Sequence, residues 1–318
     1  MRFGQGDFVY ELVEGWGKLP EGWAPFSDVV GVRVDHQDRV IVFNRGDHPV
    51  IIFDRDGSVV SSWGEGVFNR PHGLALDPAG NVWTTDDLGH AVRKFLPDGT
   101  PLMVLGTPGV ESDTGWTGDY DFLPGGAPFN RPTNIAVSAD GDIFVSDGYG
   151  NCKVHRFAAD GTLIQSWGSA GKGPGQFRLP HGAWVEPENT VLIGDRMNDR
   201  IQRFSADGQF ISEWSDVLQP NDFYRDVYGI YYVAELGKQD GTIGDLGARV
   251  TVRNRDGAIL SAWGDEGDPE MPGNAAAPHG ICVDSRGDLY LGEVTFTGRI
   301  SKGQVAPGTH VFQKFRRV

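Results

Sequence analysis

Cysteine is almost missing from this sequence: Cys152 and Cys282 are the two in 318 residues. They form no Cys-x-x-Cys pair, which excludes a zinc knuckle and a dithiol redox motif, while a single disulfide between them stays open. Basic charge is short as well, with 28 Lys and Arg against 43 Asp and Glu and a formal net charge of −15. A surface of that sign argues against nucleic acid and against an anionic membrane as partners, since phosphate binding needs a basic face. No apolar run approaches the roughly 18 residues that a membrane helix needs. The opening stretch "MRFGQGDFVYELVEGWGKLP" has no basic segment followed by an apolar one, so no signal peptide is read and the expected location is the cytoplasm. Sustained helical periodicity is lacking. Histidine is scarce, at eight residues.

Glycine is abundant at 46 residues, with 9 Trp and 18 Phe beside it, and the chain repeats itself. "DRDGSVVSSWG" (54–64), "LPDGTPLMVLG" (96–106), "AADGTLIQSWG" (158–168), "SADGQFISEWS" (205–215) and "NRDGAILSAWG" (254–264) share an Asp-Gly turn followed by an alternating apolar strand. Asp-Gly is a type I′ hairpin signal, in which both central residues need positive φ. Two more strands precede each turn, as in "GLALD" (73–77) and "NVWTTD" (81–86). Each unit is therefore a four-stranded antiparallel meander of roughly 40–50 residues, the size of a propeller blade.

Inner strands are read at 31–35, 73–77, 134–138, 182–186, 228–232 ("YGIYY") and 280–284, which counts six blades. The last unit lacks an outer strand, and "DFVYELVEGWG" (7–17) is an outer strand without a unit. Joining the two removes an open sheet edge. The expected fold is all-β: one six-bladed β-propeller domain over residues 1–318, its N-terminal strand closing the last blade. Residues 107–128 form a long Gly-rich insertion between blades two and three, either a lid or decoration.

Three of the eight histidines share one setting, in "RPHGLALD" (70–77), "LPHGAWVEP" (179–187) and "APHGICVD" (277–284). His72, His181 and His279 each stand just before an inner strand, on blades two, four and six. Alternate blades of a six-fold ring lie about 120° apart, so the three imidazoles are expected to converge on the axis. Three histidines with an open fourth position are a catalytic zinc pattern, able to polarise an oxygen or activate a water. The odd blades carry Val30, Thr133 and, in this alignment, Tyr228 at the matching place, so histidine is not the repeat consensus. Loops after the second strands supply Arg45, Asp47, Tyr149 and Arg196 at the same mouth. Two arginines suit a carboxylate clamp, and a tyrosine held beside a cation can act as a base. The acids Asp86, Asp147, Asp195 and Glu293 recur at one blade position, which reads as structural support for loop N–H groups.

With "FNRGDHP", "RPHGLALDPAGNVWTTD", "FNRPTNIAVSADGDIFVSDGYGN" and "GPGQFRLPHGAWV" running into "IGDRMNDRIQRF", the chain resembles the NHL-repeat six-bladed propellers. Among them it is most similar to the peptidyl-α-hydroxyglycine α-amidating lyases (peptidylamidoglycolate lyases). The resemblance implies a zinc-dependent lyase that cleaves an N-acyl-α-hydroxyglycine, a small molecule or a peptide C-terminus, to an amide and glyoxylate. It implies His72, His181 and His279 as zinc ligands, Tyr149 as the catalytic tyrosine, and Arg45 and Arg196 as active-site arginines that hold the substrate. The family also holds a calcium ion through two backbone carbonyls, matched by Val32 and Leu74, and an Asp that follows the third His. Here that last position is Gly280. The family's Met beside the substrate is Ala277, and its loop cysteine after the tyrosine is Gly150. A zinc hydrolase or hydratase of another small carboxylate-bearing substrate would use the same parts, and a non-catalytic propeller would serve as a binding platform.

Overall fold

The computed structural model describes residues 1–120, 125–238, 247–265 and 267–318. Among them, strands form six antiparallel sheets, and the fold is a six-bladed β-propeller. The chain divides into two compact units, residues 1–65 with 221–318, and residues 66–220.

The unit of residues 66–220 carries blades two to four, with inner strands Pro71–Leu76, Pro132–Val137 and Pro180–Val185. Second and third strands are buried along most of their length, whereas outer strands such as Pro101–Gly106 alternate or face solvent. Trp83, Val92, Phe129, Ile135, Val145 and Phe157 pack between blades two and three. Phe144, Val154, Phe177, Ile193 and Phe204 do the same between blades three and four. Each such buried side chain contributes roughly 1.5–3 kcal/mol, so adjacent faces of the blades supply the cohesion.

The other unit carries blades one, five and six. Its last sheet has five strands. Pro278–Val283, Leu289–Glu293 and Phe312–Arg317 are followed outward by Phe8–Leu12 and then Arg2–Gln5. The N-terminal strand therefore closes the last blade as expected, pairing Tyr10 with Arg317 and Leu12 with Phe315. A hairpin adds Arg2–Gln5 beyond it. Tyr10, Tyr232, Trp263, Leu291 and Phe315 are the buried core there.

Two expectations change. In the five Asp-Gly turns only the glycine is left-handed (Gly57, Gly99, Gly161, Gly208 and Gly257, φ 73–90°), and none of the preceding Asp residues is. The glycine N–H donates to the carbonyl three residues back, and the strand register slips just beside the turn, as at Ile52/Phe53. This is a turn with a glycine bulge rather than a two-residue type I′ turn, and the extra residue adds the twist that a blade needs. Secondly, the inner strand of blade five is Pro220–Arg225, and "YGIYY" covers a turn and the start of the second strand, Tyr231–Glu235. The true strand "PNDFYR" was hidden by Asn221 and Asp222, polar residues that are fully or almost fully buried.

Candidate active site

The same local device aims all three Pro-His-Gly histidines. At the start of each inner strand the register against the second strand slips, between Pro71 and Leu74, Pro180 and Ala183, and Pro278 and Gly280. A bulge of this kind turns a side chain out of the regular alternation. The loop ahead of each strand is tied to the carboxylate that ends the second strand. Asp86 accepts the N–H groups of Asn69 and Arg70, Asp195 those of Arg178 and Leu179, and Glu293 those of Ala276 and Ala277. Asp147 does the same for Asn130. The recurring acids are thus structural, and they set where each histidine enters.

Glu293 also bears on a second histidine, with His310 Nε2 3.2 Å from its Oε1. Burial works against charge on His310, but the carboxylate outweighs it and holds the imidazole above its ordinary value of 6.5. A raised folded value stabilises below the unfolded one and fades as pH rises through the folded one. The His310→Gln variant is therefore expected to lose more melting temperature relative to wild type at pH 5.5 than at pH 8.5. An equal loss at both would contradict the pairing.

His72 and His181 are buried with their ring centroids 4.8 Å apart, and His279 is buried in the other unit. His72 Nδ1 lies 2.6 Å from the Thr133 carbonyl, and His279 Nδ1 lies 2.7 Å from that of Val30. A carbonyl can only accept, so in both rings Nδ1 carries the proton and Nε2 presents its lone pair. That is the tautomer a metal ligand requires, fixed by a backbone partner. Buried imidazoles of this kind fit a three-histidine metal centre.

The odd blades thus buttress the even ones. Thr133 and Val30 give the carbonyls, and Thr133 Oγ1 also donates to the Pro180 carbonyl at 2.8 Å. In blade five the matching residue is Asn221, whose amide donates to the Pro278 carbonyl at 2.7 Å. Tyr228, the residue expected there, lies in a turn and is 85% exposed.

Within residues 66–220 the catalytic candidates meet. The Tyr149 hydroxyl lies 3.0 Å from His72 Nε2, 3.3 Å from His181 Nε2 and 3.2 Å from Arg196 Nη1, which donates to it. The Arg196 guanidinium also lies over the tyrosine ring, 5.3 Å from its centroid. A third arginine, Arg131, covers that ring at 5.0 Å. Arg131 is not legible from its neighbours: nothing in the local pattern marks it, and its place depends on a left-handed backbone, φ +66°. Its guanidinium lies 3.7 Å from Asp87, which also pairs with Arg70 at 3.1 Å.

In the other unit, Arg45 is held by Asp28 at 3.0 Å and Thr297 at 3.1 Å. Ala277 is fully buried, its N–H on Glu293. Asp47 lies in the Arg45 loop, beside His48, whose ring stacks on Trp23 at 3.5 Å. Both cysteines are free and buried.

The residues present do not fit calcium. The Val32 carbonyl that would hold it accepts from Arg33 Nη1 at 2.8 Å. The same guanidinium bonds both carboxylate oxygens of Asp222, at 2.8 and 3.1 Å, and the Ile281 carbonyl at 3.2 Å. A side chain at Gly280 is barred, since a Cβ there would lie 2.8 Å from Gly31 Cα. An arginine pinned by an aspartate supplies the positive charge instead.

Comparison with known proteins agrees with this architecture. A 6-bladed beta-propeller family profile matches residues 127–262, and an NHL repeat profile matches residues 68–95. The structure of a streptogramin B lyase superposes with a TM-score of 0.59 at 16% identity, covering 97% of this chain and 87% of that one, which bears on the fold alone. The chain is an NHL-type six-bladed propeller whose three Pro-His-Gly histidines are each buried. Its relatives define it more narrowly. It is 31% identical over 232 residues to mouse (Mus musculus) peptidyl-glycine alpha-amidating monooxygenase, covering 62% of this chain and 22% of that protein. It is 27% identical over 321 residues to peptidyl-alpha-hydroxyglycine alpha-amidating lyase 2 of Drosophila melanogaster, covering 89% and 72%. The protein is a homologue of the peptidyl-α-hydroxyglycine α-amidating lyases, and it spans less than a quarter of the mouse relative's length.

Proposed function

We propose that this protein is a zinc-dependent carbon–nitrogen lyase that converts an N-acyl-α-hydroxyglycine to an amide and glyoxylate. The observation that carries the reading is the Tyr149 hydroxyl, which accepts from Arg196 and lies 3.0 and 3.3 Å from Nε2 of two of the three candidate ligand histidines. His72, His181 and His279 would hold the ion, which when bound supplies a Lewis acid for a substrate oxygen. Tyr149, acting as its phenolate, takes the proton from the α-hydroxyl. As that oxygen's electron pair forms the aldehyde C=O, the C–N bond breaks and its electrons stay on nitrogen. Nitrogen then needs one proton, and Tyr149 returns the one that it took, which leaves amide, glyoxylate and the starting enzyme. Arg196 fixes the phenol and offsets negative charge developing beside it. Arg45 serves as a second cation for the substrate carboxylate, its position set by Asp28 and Thr297.

The test is glyoxylate release from α-hydroxyhippurate, with and without a chelator. Release that stops on chelation and returns with zinc is the expected result. No release from protein that demonstrably holds zinc would sink the lyase reading and leave a metalloenzyme of another kind. The Tyr149→Phe variant is expected to lose about 10²–10⁴-fold in kcat, the range of a general acid–base group, at unchanged zinc content. Unaltered kcat would remove Tyr149 from the chemistry.

A further inference from the structure

The insertion at 107–128 is attached to the turn that carries Tyr149. Thr114 Oγ1 donates to the Gly150 carbonyl at 2.5 Å, and the Gly126 N–H donates to Asn151 Oδ1 at 3.3 Å. Asn130 Nδ2 links in as well, to the Ser112 carbonyl and Thr114 Oγ1 at 3.1 and 3.2 Å. Residues 121–124 lie outside the described residues, but both flanks are pinned to the residues directly after the tyrosine. So anchored, the insertion lays Trp116 on Arg131, whose guanidinium lies 5.5 Å from the indole centroid and 5.0 Å from that of Tyr149. Tyr120 lies 6.2 Å from Trp116. Burial raises the Tyr120 phenol above its ordinary value, Tyr149 adds to this, and Arg196, Arg131 and Arg70 pull it down.

Two aromatic faces and one donor are therefore presented beside the proposed base. The Trp116 indole N–H is buried and has no acceptor among the described residues. A substrate of the proposed class has, on the nitrogen side of the bond that breaks, a carbonyl that can only accept and an acyl substituent that can be apolar. We propose that Trp116 and Tyr120 form the wall of an acyl-binding subsite that selects aromatic or large apolar N-acyl groups over small ones. Arg131 serves as a positioning residue that couples this wall to Tyr149. The inference rests on the lyase reading above for the identity of its ligand.

The experiment compares kcat/KM for N-benzoyl and N-acetyl α-hydroxyglycine in wild type, Trp116→Ala, Trp116→Phe and Tyr120→Ala. Wild type is expected to favour the benzoyl substrate. Trp116→Ala should reduce the benzoyl-to-acetyl ratio about tenfold or more, chiefly through KM, the scale set by apolar contacts in a specificity pocket. Trp116→Phe should keep much of the preference. A ratio unchanged in Trp116→Ala and Tyr120→Ala, or no benzoyl preference in wild type, overturns the subsite while the lyase reading stands. Calorimetric binding of hippurate and acetylglycine, which carry no hydroxyl to react, separates the two claims. If wild type cleaves neither substrate yet binds hippurate more tightly, and Trp116→Ala erases the difference, the subsite stands and the lyase reading falls. If wild type shows neither cleavage nor a binding preference, both fall.

Discussion

Replacing His181 by alanine is expected to abolish the proposed zinc binding and to lower the proposed glyoxylate release by about 10³-fold. A Lewis acid contributes several kcal/mol to a developing oxyanion, and each 1.4 kcal/mol is about tenfold in rate. The histidine is buried, and in the proposed ligand set the backbone already fixes Nδ1 of His72 and His279 on the carbonyls of Thr133 and Val30. The remaining pair of imidazoles offers too few donors to retain zinc against a chelator. Elemental analysis after purification in metal-free buffer, then reloading with zinc, is the measurement. His36→Ala, outside the group, should keep full metal content. A His181→Ala protein that still binds one zinc would remove the three histidines as its ligands, and a metal-free but fully active wild type would remove the metal from the chemistry.

Arg33→Leu should be the most destabilising of the substitutions considered, by about 3–5 kcal/mol. The Arg33 and Asp222 side chains are only 5% and 4% exposed, and the Arg33 guanidinium also donates to two backbone carbonyls. Removing the guanidinium leaves the Asp222 carboxylate buried without its counter-charge, a cost well above that of losing an exposed ion pair. Arg33→Leu combined with Asp222→Leu should recover part of the loss, because no buried charge is then left over. Urea unfolding of the three proteins gives the numbers. In the same experiment, calcium and a calcium chelator should each leave wild-type stability unchanged. A calcium-dependent rise would show that the ion binds despite Arg33 and Gly280, and a neutral Arg33→Leu would show that the pair carries no structural weight.

The repeat made most of the fold legible. Blade number, the closing N-terminal strand and the phase of the three histidines follow from alternation and turn residues, which are local signals. The errors have local causes too. Blade five was misaligned because Asn221 and Asp222 are polar residues inside a buried strand. Asn221 is there to hold the Pro278 carbonyl and Asp222 to neutralise Arg33, and neither need is visible from neighbours in sequence. The Asp-Gly turns were assigned one left-handed residue too many, since the dipeptide fits both the two-residue turn and the bulged one. Arg131 was passed over because its place depends on a left-handed backbone and on rings from two separate loops.

The sequence by itself determined that six meanders form a propeller, and that among the inner strands histidine occurs in blades two, four and six. Periodicity and turn chemistry are written residue by residue, so they survive without coordinates. Only the tertiary structure decided which nitrogen each anchored imidazole offers, that the Arg33 guanidinium takes the Val32 carbonyl, and that Thr114 and Gly126 grip the Tyr149 turn. Those facts rest on hydrogen bonds between residues tens to hundreds of positions apart, such as Val30 with His279 or Arg33 with Asp222. Contacts of that separation arise from the closing of blades on one another, and local patterning does not encode them.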